Sequence, residues 1–379
     1  MPFIFWFTVL FVSYTYIFYP MLLYLLAVLR PKPIRKESPV IWPAVSVVIA
    51  AKDEEQRIGG RLENLLQQKY PGTLEVIVVS DGSTDHTVDI ARSSEPKFQS
   101  RGWDLNVLEY GPSKGKPFAL NLGVSKAKGQ LIVFADSRQK FDPNAIRELV
   151  ENFSDKEIGA VSGELLFVES YDSQIETAMG AYWKYEKMVR KLESKTGSVT
   201  GATGAIYAIR SELYKPIPKE TLLDDVLIPL NIIQQGYRVI FDSTARAFDV
   251  VSKDVESEWK RKVRTLAGNW QLISIAPYLF NPFTNKQWWR LMSHKIFRLL
   301  VPFCLPLLLV SSIFSPGLFY KACAFPQAIF YASVVMAWKY PQLQQISLVK
   351  LCYFFFMLNM AAVAGFFYWI TGRTEKIWG

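Results

Sequence analysis

The chain has 379 residues, half of them apolar and 15% aromatic, with 20% charged and a formal charge of +9. It is too apolar for a disordered polyelectrolyte and too long for one small domain. The charge is uneven: residues 1–43 carry +3, residues 44–275 carry −2 and residues 276–379 carry +8, so the basic excess sits on the greasiest stretches and reads as membrane orientation, not as a nucleic-acid footprint.

Residues 1–29 contain no charged side chain, and at about 1.5 Å per residue they exceed a hydrocarbon core of about 30 Å. A signal peptide would begin with basic residues and end in a small-residue cleavage site. Here Arg30, Lys32, Arg35 and Lys36 come after the apolar run. The pattern predicts a spanning helix with Met1 outside and residue 30 in the cytoplasm. Residues 30–43, punctuated by Pro31, Pro33, Pro39 and Pro43, are expected to form a basic linker.

From residue 44 the pattern alternates. Runs rich in Val, Ile and Leu at 45–50, 74–80, 105–110 and 131–135 read as strands, with helical segments at 54–68, 84–93 and 117–128 between them. This predicts an α/β domain over residues 44–275 with a mostly parallel sheet. Helices are also expected at 171–194 and 225–235. Residues 276–298 hold Trp288, Trp289, Arg290, Lys295 and Arg298, the make-up of an interfacial segment. Residues 299–372 are expected to supply about three spans, over 299–320, 322–338 and 351–372, before a tail at 373–379. Cys304, Cys323 and Cys352 lie in this apolar region, and neither His86 nor His294 has a second ligand at metal spacing. Neither a disulfide framework nor a zinc site is expected.

In an α/β domain, ligands bind beyond the carboxyl ends of the strands. Acids follow three of the strand runs: Asp53, Glu54 and Glu55, then Asp81 and Asp85, then Asp136. Like charges about 4 Å apart cost about 4 kcal/mol at an effective dielectric near 20, so a cation or hydrogen-bond donors should share the site. Taken singly, Ser83 and Asp85 could serve only as turn and cap residues, and Asp53 to Glu55 only as acids at a helix N-terminus. Gly111 to Lys116 falls short of a P-loop by one residue and has Pro117 in place of Ser or Thr.

The segments Val45–Glu54, Val78–Asp85, Gly115–Gly123 and Phe134–Ser137, with the pair Asp224 and Asp225, resemble in order and spacing the motifs of family 2 glycosyltransferases. The match is to the membrane-embedded branch of cellulose and hyaluronan synthases and covers roughly residues 44–275. The resemblance implies a GT-A fold, a Rossmann-like domain for nucleotide sugars, flanked by transmembrane helices. It implies that Asp53 and Glu54 contact the nucleoside and that Asp81 reads the base, usually uracil. Lys116 would lie near the diphosphate, and Asp136 would hold Mg²⁺ or Mn²⁺ as the second acid of an Asp-x-Asp motif. Asp225 would be the general base, with Asp224 beside it. Arg261 and Arg264 fall on the Gln-x-x-Arg-Trp motif of processive members, as diphosphate contacts. Gly201 and Thr203 stand where the family brings the acceptor to the donor.

Three positions depart from the pattern. Phe134 replaces the first acid of the metal motif, Arg261 replaces the Gln of the Gln-x-x-Arg-Trp motif, and Thr265 replaces its Trp, which stacks on the acceptor sugar in processive members. Trp270 is the next aromatic along that segment. The function the resemblance implies is inverting transfer of a sugar from a nucleotide sugar, of the UDP type, to a glycan or glycolipid hydroxyl in surface-glycan synthesis. The alternatives are a single addition to a polyprenyl-phosphate carrier and a degenerate assembly subunit. The expected partners are the donor, a glycan or lipid-linked acceptor and membrane lipids, with no nucleic acid. The expected location is a bacterial inner or plasma membrane, with several spans and the catalytic domain in the cytoplasm.

Overall fold

A computed structural model describes residues 1–168, 176–250 and 255–373. They form two compact units: one of Pro31–Glu169 and Glu193–Val250, the other of Met1–Arg30, Ser170–Leu192 and Val251–Gly379. The expected tail beyond residue 373, and the start of the helix expected from residue 171, lie outside the described residues.

The first unit is built on one eight-stranded sheet: β1 Val45–Ala51, β2 Leu74–Asp81, β3 Asp104–Tyr110, β4 Leu131–Ala135, β5 Lys140–Phe141, β6 Ile158–Val168, β7 Ile206–Arg210 and β8 Arg238–Val250. Its order is β3-β2-β1-β4-β7-β6-β8-β5. β1, β2 and β4 are near-continuous apolar runs because helices cover both faces of the parallel part. Val47, Ile49, Val76, Val78 and Val133 are fully buried there. The sheet is mostly parallel, as expected: β1 to β4 run parallel and β6 and β8 share their direction, while β7 is antiparallel to both β4 and β6 and β5 is antiparallel to β8.

The stretch expected as a basic linker belongs, from Pro31 onward, to this unit. The Lys32 N–H donates to the Lys195 carbonyl at 2.7 Å, and the Arg238 guanidinium donates to the Pro33 carbonyl at 3.1 Å. Lys36 is paired with Glu148 and, at 2.8 Å, with Asp242. Salt bridges and backbone bonds, not chain flexibility, set its path.

Among the described residues, the second unit holds four helices long and apolar enough to cross a membrane: Pro2–Leu29, Trp288–Phe314, Leu318–Lys339 and Ser347–Ile370. The break between the second and third falls at Ser315, Pro316 and Gly317, where Gly317 takes a φ of 107° that only glycine adopts freely. The expected interfacial segment is not separate in its second half. Trp288–Leu291 runs through a π-helical turn at Met292–Ile296 into Phe297–Phe314.

The helix Val255–Ile275 also belongs to this unit, so the domain boundary expected at 275 moves to Val250. The reason is its apolar face. Trp270 stacks on Trp369 at 5.7 Å and donates its indole N–H to the Ala362 carbonyl at 3.2 Å. Gly365 lies so close to that helix that a Cβ there would stand 2.7 Å from the Ala267 nitrogen. Small residues at such a seam let two backbones approach.

Candidate active site

Parallel strands end on the same side of a sheet, so β1, β2 and β4 deliver their trailing acids to one edge. The loops after β1 and β2 are sewn together there. The Asp53 carboxylate accepts the Thr84 N–H at 2.8 Å, and Asp85 accepts the Glu55 N–H at 3.0 Å and the Thr87 N–H at 3.0 Å. Asp53 holds a φ of 51°, a left-handed geometry that these bonds maintain. Glu54 is paired with Arg57 at 2.9 Å.

Asp81, at the end of β2, is 4% exposed and is surrounded by donors. Tyr110 and Ser113 donate hydroxyls at 2.8 Å each, and the backbone N–H groups of Lys114 and Gly115 donate at 2.7 and 3.0 Å. Burial alone would raise the pKa of this carboxyl; the four donors outweigh it and hold it below the ordinary range. In this state Asp81 is the anchor of the loop 111–115, and its lone pairs face that loop.

The carboxylates beyond β4 meet a cation. Lys116 opens the helix Lys116–Lys126, and its ammonium lies 3.1 Å from Asp136 and 3.5 Å from Asp224. Burial would lower the pKa of that ammonium, but Asp136, Asp224 and Asp225 together raise it. The cation that like charges at these strand ends demanded is therefore supplied by the chain itself. Asp136 is the open member of the pair, with 37% of its side chain exposed against 8% for Asp224.

Asp224 and Asp225 form the first turn of the helix Asp224–Gln234, where the helix dipole favours negative charge. Asp225 is braced from the other side. Its Oδ2 accepts the Gly204 N–H at 3.1 Å, and its carbonyl accepts the Ala202 N–H at 2.7 Å. A Cβ on Gly204 would stand 2.9 Å from that same Oδ2. Gly201 packs against Val226, with a hypothetical Cβ at 3.2 Å from its side chain. Thr203 donates its hydroxyl to the Gly163 carbonyl at 2.9 Å, which makes it a brace for this segment.

Three further residues belong to the site. Gly204 closes the segment from Thr200 that stands where the family brings the acceptor to the donor. Tyr207, opposite Phe134 in the β4–β7 ladder, stacks on the Phe134 ring at 4.6 Å, and its buried hydroxyl has no hydrogen-bond partner among the described residues. Burial first, then Asp224, Asp225 and Asp136, keep this phenol protonated far above its ordinary range. Asn121, within the Gly115–Gly123 segment, accepts the Tyr214 hydroxyl at 2.6 Å and the Ile217 N–H at 3.0 Å, pinning the chain that leads toward Asp224. No motif marks Tyr207, which acquires its role only when β7 is laid against β4.

Arg261 and Arg264 lie on the helix Val255–Ile275 in the second unit, where Arg261 is paired with Glu258. Trp270 is buried in the stack with Trp369, so it is a packing residue and not a platform for a sugar.

Residues 46–217 match the model of Glycosyl transferase family 2. Among curated proteins, the chain is 23% identical over 235 residues to the poly-β-1,6-N-acetyl-D-glucosamine synthase of Staphylococcus aureus (strain COL), covering 60% of this chain and 55% of that one. It is 27% identical over 259 residues to a probable glycosyltransferase of Bacillus subtilis (strain 168), covering 63% of this chain and 58% of the relative. The chain thus spans just over half the length of these curated relatives. Among solved structures, a mannosyltransferase from Pyrobaculum calidifontis in complex with GDP-mannose and Mn²⁺ superposes with a TM-score of 0.69 at 21% identity, over 96% of this chain and 97% of that one. At that identity the likeness is one of fold.

Proposed function

We propose, for a chain that carries a family 2 glycosyltransferase domain of GT-A fold, that it transfers a sugar from a nucleoside diphosphate sugar to an acceptor hydroxyl, with inversion at the anomeric carbon. The observation that carries the reading is the cluster at the sheet edge: an accessible Asp136 and a buried Asp224 sharing Lys116, beside an Asp225 braced by the Gly204 N–H.

Each group has work that suits it. A departing nucleoside diphosphate accumulates negative charge, and the Lys116 ammonium is a fixed cation for it. Asp225 is oriented by the Gly204 N–H and stands in the first turn of its helix, a carboxylate placed to take the proton that the attacking hydroxyl gives up. Among the described residues no three His, Cys, Asp or Glu side chains form a ready-made metal cage. One exposed carboxylate nevertheless fits Mg²⁺ or Mn²⁺, because Mg²⁺ is commonly held by one or two carboxylates with substrate phosphates and water completing its shell. Asp136 is the residue that would hold it, and the ion would then neutralise charge on the leaving diphosphate. Asp53, Glu54 and Asp81 are assigned to the nucleoside side, with uridine as the base the family resemblance implies. Arg261 and Arg264 are assigned to the diphosphate, and Gly201 and Thr203 to the acceptor side. The four apolar helices among the described residues support a membrane location, and the basic flanks favour a transferase domain on the cytoplasmic face.

A single addition to a lipid-linked acceptor is favoured over long-chain polymerisation by one observation. Thr265 stands where processive members carry an acceptor-stacking Trp, and Trp270 is already committed to Trp369.

The test is a screen of uridine and guanosine nucleotide sugars with the purified full chain, with product mass recorded. One added sugar is expected, and a ladder of products would overturn the single-addition reading. Asp225→Asn is expected to retain nucleotide binding while transfer falls by at least about 10²-fold. Substantial turnover by that variant removes Asp225 as the base.

A further inference from the structure

The second unit contains a cavity of about 260 Å³ between the start of the helix Val255–Ile275 and the first turns of the helix Ser347–Ile370. Its walls are of two kinds. Glu258 and Lys262 come from the first helix and Lys350 from the first turn of the second; Tyr353, Met357 and Leu358 continue down the face of the second. Lys350 and Met357 are seven residues apart, so the charged end and the apolar end are separated by about 10 Å along that helix.

Counting spans gives the level of the cavity. The four apolar helices alternate in direction, so the turn at Pro341–Gln345 shares a membrane face with Arg30 and Trp288. Arg290, Lys295, Arg298, Lys339 and Lys350 fall at that same face, whereas Lys321 and Arg373 fall at the other. The mouth of the cavity is therefore at head-group depth and its floor in hydrocarbon. Lys262 is also a poorly solvated cation: 19% of its side chain is exposed, and its ammonium sits 5.6 Å from the centroid of the Trp183 ring. Its carboxylate partner, Glu258 at 3.5 Å, is shared with Arg261.

We infer that this cavity is a binding site for one anionic phospholipid of the adjoining leaflet, its phosphodiester between Lys262 and Lys350 and an acyl chain along Tyr353, Met357 and Leu358. A phosphodiester offers acceptor oxygens to both lysine ammonium groups at the mouth, and an acyl chain matches the apolar floor. The inference rests on reading the apolar helices as membrane spans and not on the sugar chemistry, so it stands or falls independently of the transferase assignment.

The experiment is native mass spectrometry of the full chain released from nanodiscs that contain phosphatidylcholine and phosphatidylglycerol in equal amounts. One phosphatidylglycerol retained per chain is expected, in preference to phosphatidylcholine. Lys262→Ala and Lys350→Ala should each lower that retention by roughly five-fold, the effect of one lysine near an anionic surface. Lys350→Arg should restore it, and Lys339→Ala, a cation at the same face outside the cavity, should leave it unchanged. Retention that does not distinguish the two lipids, or that survives both alanine substitutions, overturns the site. Geranylgeranyl monophosphate displacing phosphatidylglycerol at equal concentration would overturn the choice of a phospholipid. Because the readout is lipid mass and not turnover, an inactive transferase preparation with normal lipid retention would count against the sugar reading alone.

Discussion

Asp225 and Gly204 show how one missing side chain can shape the carboxylate proposed as the base. The Gly204 N–H reaches Asp225 Oδ2 at 3.1 Å only because no Cβ occupies the approach. Gly204→Ala would place that carbon 2.9 Å from the oxygen, so the carboxylate must swing away. We expect transfer to fall about 10- to 100-fold with donor KM little changed, since a displacement of about 1 Å can cost that much. Thermal stability should shift by less than about 1 kcal/mol, the usual range away from core defects. Wild-type turnover by Gly204→Ala would show that the brace does not position the base. Asp81 calls for a different measurement. Its carboxyl is depressed in the folded protein, so the stability it lends is complete above the unfolded value of about 3.9 and is lost as pH falls through the lower folded value. Asp81→Asn should therefore destabilise the domain at pH 7 and cost progressively less as pH falls below about 4. A stability difference between the two proteins that is the same at pH 7 and pH 3 would rule this out.

At the scale of elements, legibility followed chemistry. β1, β2 and β4 are uninterrupted apolar runs ending in acids, and their sequences announce both strand and site. β6, β7 and β8 were not anticipated. Gly163 and Glu164 interrupt β6, and Asp242, Ser243 and Thr244 interrupt β8, while the five residues of β7 carry no turn signal of their own. Phe134 was legible as a departure from a metal motif but not as a packing partner, because its reason is Tyr207 on a strand more than 70 residues away. Trp270 was ambiguous for the same reason: only the arrival of Trp369 makes it core. The seam that holds this pair can be tested directly. Gly365→Leu would drive a side chain into the Ala267 backbone, and overpacking of this kind costs about 1–3 kcal/mol. A lower unfolding temperature in detergent, with altered near-ultraviolet dichroism from the tryptophan stack, is the expected result. An unchanged melting curve would mean that the helices are not locked at Gly365.

Over the whole molecule, the +9 separates into charges with different jobs, and position along the chain alone does not sort them. On the proposed topology Arg30, Arg290, Lys295, Lys339 and Lys350 share one membrane face and suit an orienting role. Lys36 sits in the same basic flank by sequence, but its ammonium is partly buried between Glu148 and Asp242, and Asn152 and Thr244 complete the network. Burial opposes the charge on Lys36, and its two carboxylate partners outweigh that and raise its pKa. Glu148 and Asp242 are partly buried, which alone would raise their pKa values, and the bond from Lys36 outweighs that and lowers both. The signs fix the window. The acids contribute above about 4.5 and lose their part as pH falls below it, while Lys36 contributes below about 10.5 and loses its part as pH rises past its folded value. Lys36→Met should therefore destabilise the sheet domain at neutral pH by about 1–2 kcal/mol, between an exposed pair and a fully buried one. For a domain of this size that is a fall of about 2–8 °C in Tm. If Lys36 instead acted as an orienting charge, Lys36→Met would leave the melting temperature alone and change the accessibility of a cysteine placed at position 32 to an impermeant thiol reagent in intact cells. The expected outcome is the reverse: a lower Tm and unchanged labelling, which would assign Lys36 to the fold and leave the membrane orientation to the remaining flank cations.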